Sequence, residues 1–244
     1  MTAIPAFPPD SFDRLGQCHD ERETVGLFAQ RVDRLIALLN HSDGCSRIAE
    51  TRSRWHPGKS DNRLFADRPI GAVEYFHGYP AHWYFCHRGG RWEPQFNVGM
   101  FGGAPGQRRY LRFGVGFCLN LNSKDPDREA RLIDLRALFQ GFLFLIKGPY
   151  RHEFRRLLGL HRRLTLERDG LVPDPLLNSA DRIIDWLLAW EHPDGWLFIG
   201  ESLSPDLPAE RPVLENWYEL VKAIDRTFAA WRPTWVNIWQ VAGH

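Results

Sequence analysis

The densest run of chemically capable side chains lies between Glu74 and Phe96 and reads EYFHGYPAHWYFCHRGGRWEPQF. His77, His82 and His87 recur every five residues beside Cys86 and Glu93. A structural zinc needs three or four such ligands converging on one point. The Gly89-Gly90 pair argues against convergence, because two glycines between strand-like runs specify a two-residue hairpin turn. That turn sets the register. His87 faces Trp92, Cys86 faces Glu93, Tyr84 faces Gln95 and His82 faces Asn97. Alternation then gives an apolar face with Trp83, Phe85, His87, Trp92, Phe96 and Val98. The other face carries His82, Tyr84, Cys86, Glu93, Gln95 and Asn97. Only His82 and Cys86 among the histidines and cysteines share it, which is too few for zinc. The same two could make a cysteine nucleophile and its base, although a lone cysteine is more often a small buried hydrophobe.

The following strand extends both faces. Leu111, Phe113, Val115, Phe117 and Leu119 continue the apolar side, while Arg112, Gly114, Gly116, Cys118 and Asn120 continue the polar one. The two glycines predict a shallow groove where something approaches the backbone. One face of an antiparallel sheet is often simply wet. This one, however, uses His, Tyr, Glu, Gln, Asn and Arg, side chains suited to recognition and catalysis.

Glu93 and Gln95 stand two residues apart on that face. A carboxylate so placed, joined by an upstream acid at Asp67 or Glu74, can hold Mg²⁺, which activates a water and stabilises a phosphoryl transition state. From Asp67 to Asn97 the chain resembles the Glu-x-Gln variant of the PD-(D/E)XK restriction-endonuclease core. The resemblance implies a Mg²⁺-dependent endonuclease: Glu93 with Asp67 or Glu74 would bind the metal, and Gln95 would position the attacking water. Without cleavage, no cofactor is expected. The chain departs from the family pattern in lacking the usual Lys, and Pro94 interrupts the strand ladder on one side. The runs QFNVGMF, YLRFGVGFCLNLNSKDPD and GWLFIG are also similar to recognition domains of prokaryotic restriction systems.

The distribution of charge adds to the DNA expectation. Lys and Arg total 31 against 30 Asp and Glu, a net charge of +1, so any nucleic-acid contact must come from a local patch. YRHEFRRLLGLHRRLTLER supplies one, with Arg151, Arg155 and Arg162 at helical spacings. His82, Tyr84, Gln95, Asn97 and Arg112 would read bases while the arginines hold phosphates. The plainer reading is a solvated basic helix balanced by acidic neighbours. The second functional class is a small-ligand or protein-interaction domain that uses the polar sheet face as a pocket.

The elements around these residues follow from periodicity. Residues 1–20 are Pro-rich and aperiodic and predict a flexible arm, with a single domain over 21–244. Helices are expected at 22–40, 127–147 (Asp125 as N-cap, Pro126 at the first helical position), 179–191 (capped by Ser179) and 211–231, the last stopped by Pro233. Strands are expected at GAVEYF, HWYFCH, WEPQFNVGMF and RRYLRFGVGFCLNL, with GWLFIGES as a further short one. The expected fold is α+β: a mainly antiparallel sheet of four or five strands, spanning about residues 71–121 and backed on one face by helices. The start carries no pattern of a signal peptide, no apolar run is long enough to span a bilayer, and the four cysteines form no CxxC pair. A cytoplasmic protein without membrane contact is therefore expected, with a homodimer left open.

Overall fold

Alternating apolar residues from Gln95 to Phe101 (β2) and from Tyr110 to Cys118 (β3) build adjacent strands in the computed structural model, which describes residues 4–13, 22–42, 82–88, 94–102, 108–119, 126–160, 164–168, 179–190 and 195–241. His82–Arg88 (β1), Leu164–Arg168 (β4) and Trp196–Leu203 (β5) complete a five-stranded, mainly antiparallel sheet in the order β1-β2-β3-β5-β4. The helices are Pro9–Asp13 (α1), Arg22–His41 (α2), Arg128–Lys147 (α3), Arg151–Leu160 (α4), Ala180–Leu188 (α5), Arg211–Glu215 (α6) and Trp217–Val241 (α7). The fold is α+β. GAVEYF lies outside the described residues.

The chain packs as two compact units. The first comprises residues 1–88, 97–113 and 202–226, and the second residues 89–96, 114–201 and 227–244. Strands β2, β3 and β5 and helix α7 each contribute to both.

In the first unit, residues 4–13 do not form an arm. Ala6, Phe7 and Phe12 are fully buried. Ala6 N donates to Glu215 O (2.9 Å), and Phe7 N donates to Leu214 O (2.8 Å). Trp217 Nε1 donates to Ile4 O at 2.8 Å, and its ring lies 5.9 Å from that of Phe7. Arg31, itself buried, donates from Nη1 to Ser11 Oγ (3.1 Å) and from Nε to Pro5 O (3.3 Å). Proline density reads as looseness in a sequence, but two anchoring phenylalanines here repay the ordering of the backbone. Arg109 ties the start of β3 to ion-pair partners Asp13 and Asp206. Its carbonyl accepts from Ser204 Oγ at 2.8 Å.

In the second unit, α3, α4 and α5 pack on one another. A continuous run of rings fills this core: Phe117 meets Phe139 and Phe142, Phe142 meets Phe154, and Phe154 meets Trp231, with centroids 5.2–5.9 Å apart. Helix α7 runs through Pro233 instead of ending there. An interior proline costs a helix about 3 kcal/mol. The buried Trp231, Thr234 and Ile238 on both sides of it outweigh that cost. At the other end of the α5 region, Ser179 caps its helix as predicted, accepting from Arg182 N at 3.3 Å. Ser179→Ala is expected to destabilise the protein by about 1 kcal/mol in chemical denaturation. Helix α3 begins after Asp127, which makes no side-chain cap bond; Asp125 lies outside the described residues.

Strand β4, inside the basic segment, was not foreseen. It pairs antiparallel with β5, Leu166 opposite Ile199 and Leu164 opposite Glu201. Strand β5 therefore sits between β3 and β4, so the sheet extends well beyond residues 71–121. Gly114 explains how β5 comes so near. A Cβ at that position would stand 2.6 Å from Gly200 Cα and closer still to the Ile199 carbonyl oxygen. The expected groove over this glycine is thus occupied by neighbouring backbone.

Candidate functional site

Both faces of β2, β3 and β5 are buried, so the described part of the predicted polar row lies inside the protein. Gln95 is 8% exposed, Asn97 1% and Arg112 0%. None of these three presents its side chain on an open surface, as a base reader in a DNA groove must. His82 and Tyr84 fall in β1, where only the backbone is described. Asp67, Glu74, Glu93 and Arg162 lie outside the described residues. Among the described residues, no three His, Cys, Asp or Glu side chains gather where a metal ion could sit. The buried Glu201 of β5 accepts from Thr227 Oγ1 at 3.4 Å.

What the first unit does bring together is a ladder of rings and guanidinium groups. Phe101 and Tyr110, at the facing ends of β2 and β3, stack with centroids 4.6 Å apart and planes 6° from parallel. Arg112 Cζ lies 4.5 Å from the centroid of Phe101, and Arg108 Cζ lies 5.3 Å from that of Tyr110. Arginine suits this position because its planar, weakly hydrated cation stacks on ring faces and keeps its charge when buried. Arg108 is exposed, the two rings are half-buried and Arg112 is fully buried, so the ladder leads from solvent into the interior. The stacked pair puts Phe101 and Tyr110 on one face of the sheet. Alternation back along each strand puts Asn97, Gly99 and Arg112 on that same face.

Asn97 is the unusual member. Among the described residues, neither Nδ2 nor Oδ1 of its amide has a hydrogen-bond partner, and both atoms are buried. Its neighbours on the same strand face are Gln95 and Gly99. A buried amide in this state costs about 1–3 kcal/mol, and native folds keep only a few such groups. The sequence singled out Asn97 and Arg112 correctly as members of one face. It read Arg108 only as part of a basic patch and missed Phe101 and Tyr110, which stand in the sequence as aromatic residues flanking a Gly-containing stretch.

The basic helix has a different character. Arg151 Nη2 and Arg155 Nη2 both reach Asp181 Oδ1, at 2.7 and 2.5 Å, with Asp185 a further 3.7 Å partner of Arg151. Arg156 Nε pairs with Glu153 Oε2 at 2.9 Å. Arg151 and Arg155 link α4 to α5 by charge as well as by packing. The hydrogen bond from Arg155, then that from Arg151, holds the Asp181 carboxyl below the usual carboxylate range. A carboxyl lowered in this way stabilises the fold above its unfolded pKa of about 3.9, and the contribution is lost as pH falls through the folded value. Carboxyl-detected NMR titration is therefore expected to find Asp181 titrating below the usual carboxylate range, and Arg155→Ala is expected to move it upward.

No helix among the described residues is long and apolar enough to cross a membrane. Comparison with known proteins finds no matching family model, no matching curated protein and no matching solved structure.

Proposed function

We propose that the polar sheet face of the first unit recognises a small polar ligand, with Asn97 as its anchor and the ladder from Arg108 to Arg112 as the approach. The observation that carries this reading is the buried Asn97 amide, which has neither a donor nor an acceptor partner among the described residues. A primary amide offers two N–H donors beside a carbonyl acceptor. Its ligand must present a donor next to an acceptor, as a carboxamide or the edge of a heterocyclic base does. Folds keep such costly groups where function requires them.

DNA contact, with or without Mg²⁺-dependent cleavage through Glu93, Gln95, Glu74 and Asp67, draws less support. Gln95, Asn97 and Arg112 are buried, and Arg151 and Arg155 are engaged with Asp181. The two readings differ in salt response. Phosphate contacts through several arginines weaken by orders of magnitude between about 50 and 200 mM salt, whereas a buried amide contact responds little. Thermal-shift measurements against nucleobases, nucleotides, carboxamides and duplex DNA at both salt levels test this. The wild-type chain is expected to gain thermal stability from one small-molecule class at either salt, and Asn97→Leu to gain none. Stabilisation by DNA alone, disappearing at the higher salt, would overturn the proposal.

A further inference from the structure

Helix α3 buries apolar residues on most of its circumference, yet two of its largest apolar side chains face out: Ile133 is 67% exposed and Phe144 61%. They belong to one stripe. Ala130, Ile133, Ala137, Gln140, Phe144 and Lys147 are all exposed and follow one another at alternating steps of three and four residues. At 100° per residue these six span an arc of about 100°. Spacing of this kind lets two helices lie side by side along a continuous seam. The alanines allow close approach, the Ile and Phe supply the apolar contact, and a single Gln interrupts it, as a polar seam residue does when it fixes register.

We propose that this stripe is the interface of an antiparallel homodimer in which α3 pairs with α3 of a second copy. A two-fold axis between Leu138 and Phe139 sets Ile133 against Phe144 of the second copy and, by symmetry, Phe144 against its Ile133. The flanking charges fit the same axis. Glu129 and Lys147 lie on the same side of the seam and are both exposed. In the antiparallel register each Glu129 meets the other copy's Lys147. Within one chain these two residues are 18 positions apart, about 27 Å along the helix, so they cannot pair with each other. Arg136 lies on that side too, and its Nε is buried with no acceptor among the described residues. The register brings Gln140 of the second copy beside it, with an amide oxygen to accept. Parallel pairing would put both Glu129 at one end of the seam and both Lys147 at the other, so that neither meets its opposite charge, and would align the two helix dipoles side by side, which is unfavourable.

One helix pair makes a small interface, so association is expected at micromolar concentrations. Sedimentation velocity of the full chain from about 1 to 200 µM tests it. The wild-type chain is expected to shift from monomer to dimer across that range. Phe144→Glu, at an exposed position, is expected to weaken association by about a hundredfold with unchanged circular dichroism. Glu129→Lys and Lys147→Glu should each weaken it a few-fold, and together restore it. A monomer at every concentration, a Phe144→Glu protein that dimerises like the wild type, or a double charge reversal that fails to restore association would overturn the proposal.

Discussion

Gly114→Val is expected to destabilise the protein by about 3 kcal/mol, lowering the thermal midpoint by about 6–12 °C for a chain of this size. Most small-to-large changes in a core are softened because neighbouring side chains rotate away. At Gly114 the obstacle is backbone: the Ile199 carbonyl and Gly200 Cα of β5 stand where a Cβ would go. They cannot move without shifting β5, whose other edge carries β4 in register from Leu164 opposite Glu201 to Arg168 opposite Leu197. Gly114→Ala should already show much of the loss, since the clash begins at Cβ. Gly159 in α4 supplies the contrast. A Cβ there meets nothing within 4 Å, and Gly159→Ala is expected to stabilise by about 0.5 kcal/mol through the lower entropy of the unfolded chain. Urea denaturation of the three variants measures both signs. A Gly114→Ala protein as stable as the wild type would mean that β5 does not lie against this residue.

Asn97→Leu is expected to do the opposite and stabilise the free protein. Leucine has the same number and branching of side-chain heavy atoms as asparagine, but no polar group to leave unbonded. Replacing a buried, unbonded amide by an apolar group removes its desolvation cost. The expected gain is about 1–2 kcal/mol, or about 2–8 °C in thermal midpoint. Asn97→Val, which is slimmer and suited to a strand, guards against crowding by the larger methyl groups. A protein that becomes more stable while losing its ligand has traded function for stability at that residue. If both variants are less stable than the wild type, Asn97 has a structural partner, such as an ordered water, and the ligand reading loses its support.

These two residues also mark how far the sequence could be read. Alternation along QFNVGMF and YLRFGVGF is enough to assign both strands and to put Asn97 and Arg112 on one face. It cannot tell a polar face in water from a polar face in the interior, because period two records only which residues share a side. Gly114 reads equally well as the floor of an open groove or as a site of backbone approach, and only the position of β5, more than 80 residues later, decides. The basic segment posed a related difficulty. Arg151 and Arg155 stand out as a charge run, but the Asp181 that engages them is 30 and 26 residues away. LTLER within that run is too short and too charged to announce a strand, and its pairing with β5 is what makes it one. Pro233 and the N-terminal prolines misled in the opposite direction. Proline carries a strong local signal, and the buried Trp231, Phe7 and Phe12 that override it act through tertiary contacts.

The most direct measurement of the ligand reading is made on protein taken from cells. The full chain and its Asn97→Leu variant would be isolated side by side without extended washing, then denatured, and the released small molecules identified by mass spectrometry. A species with adjacent hydrogen-bond donor and acceptor groups is expected to be released by the wild-type protein and to be absent from Asn97→Leu. The same species recovered equally from both proteins, or from neither, would contradict it.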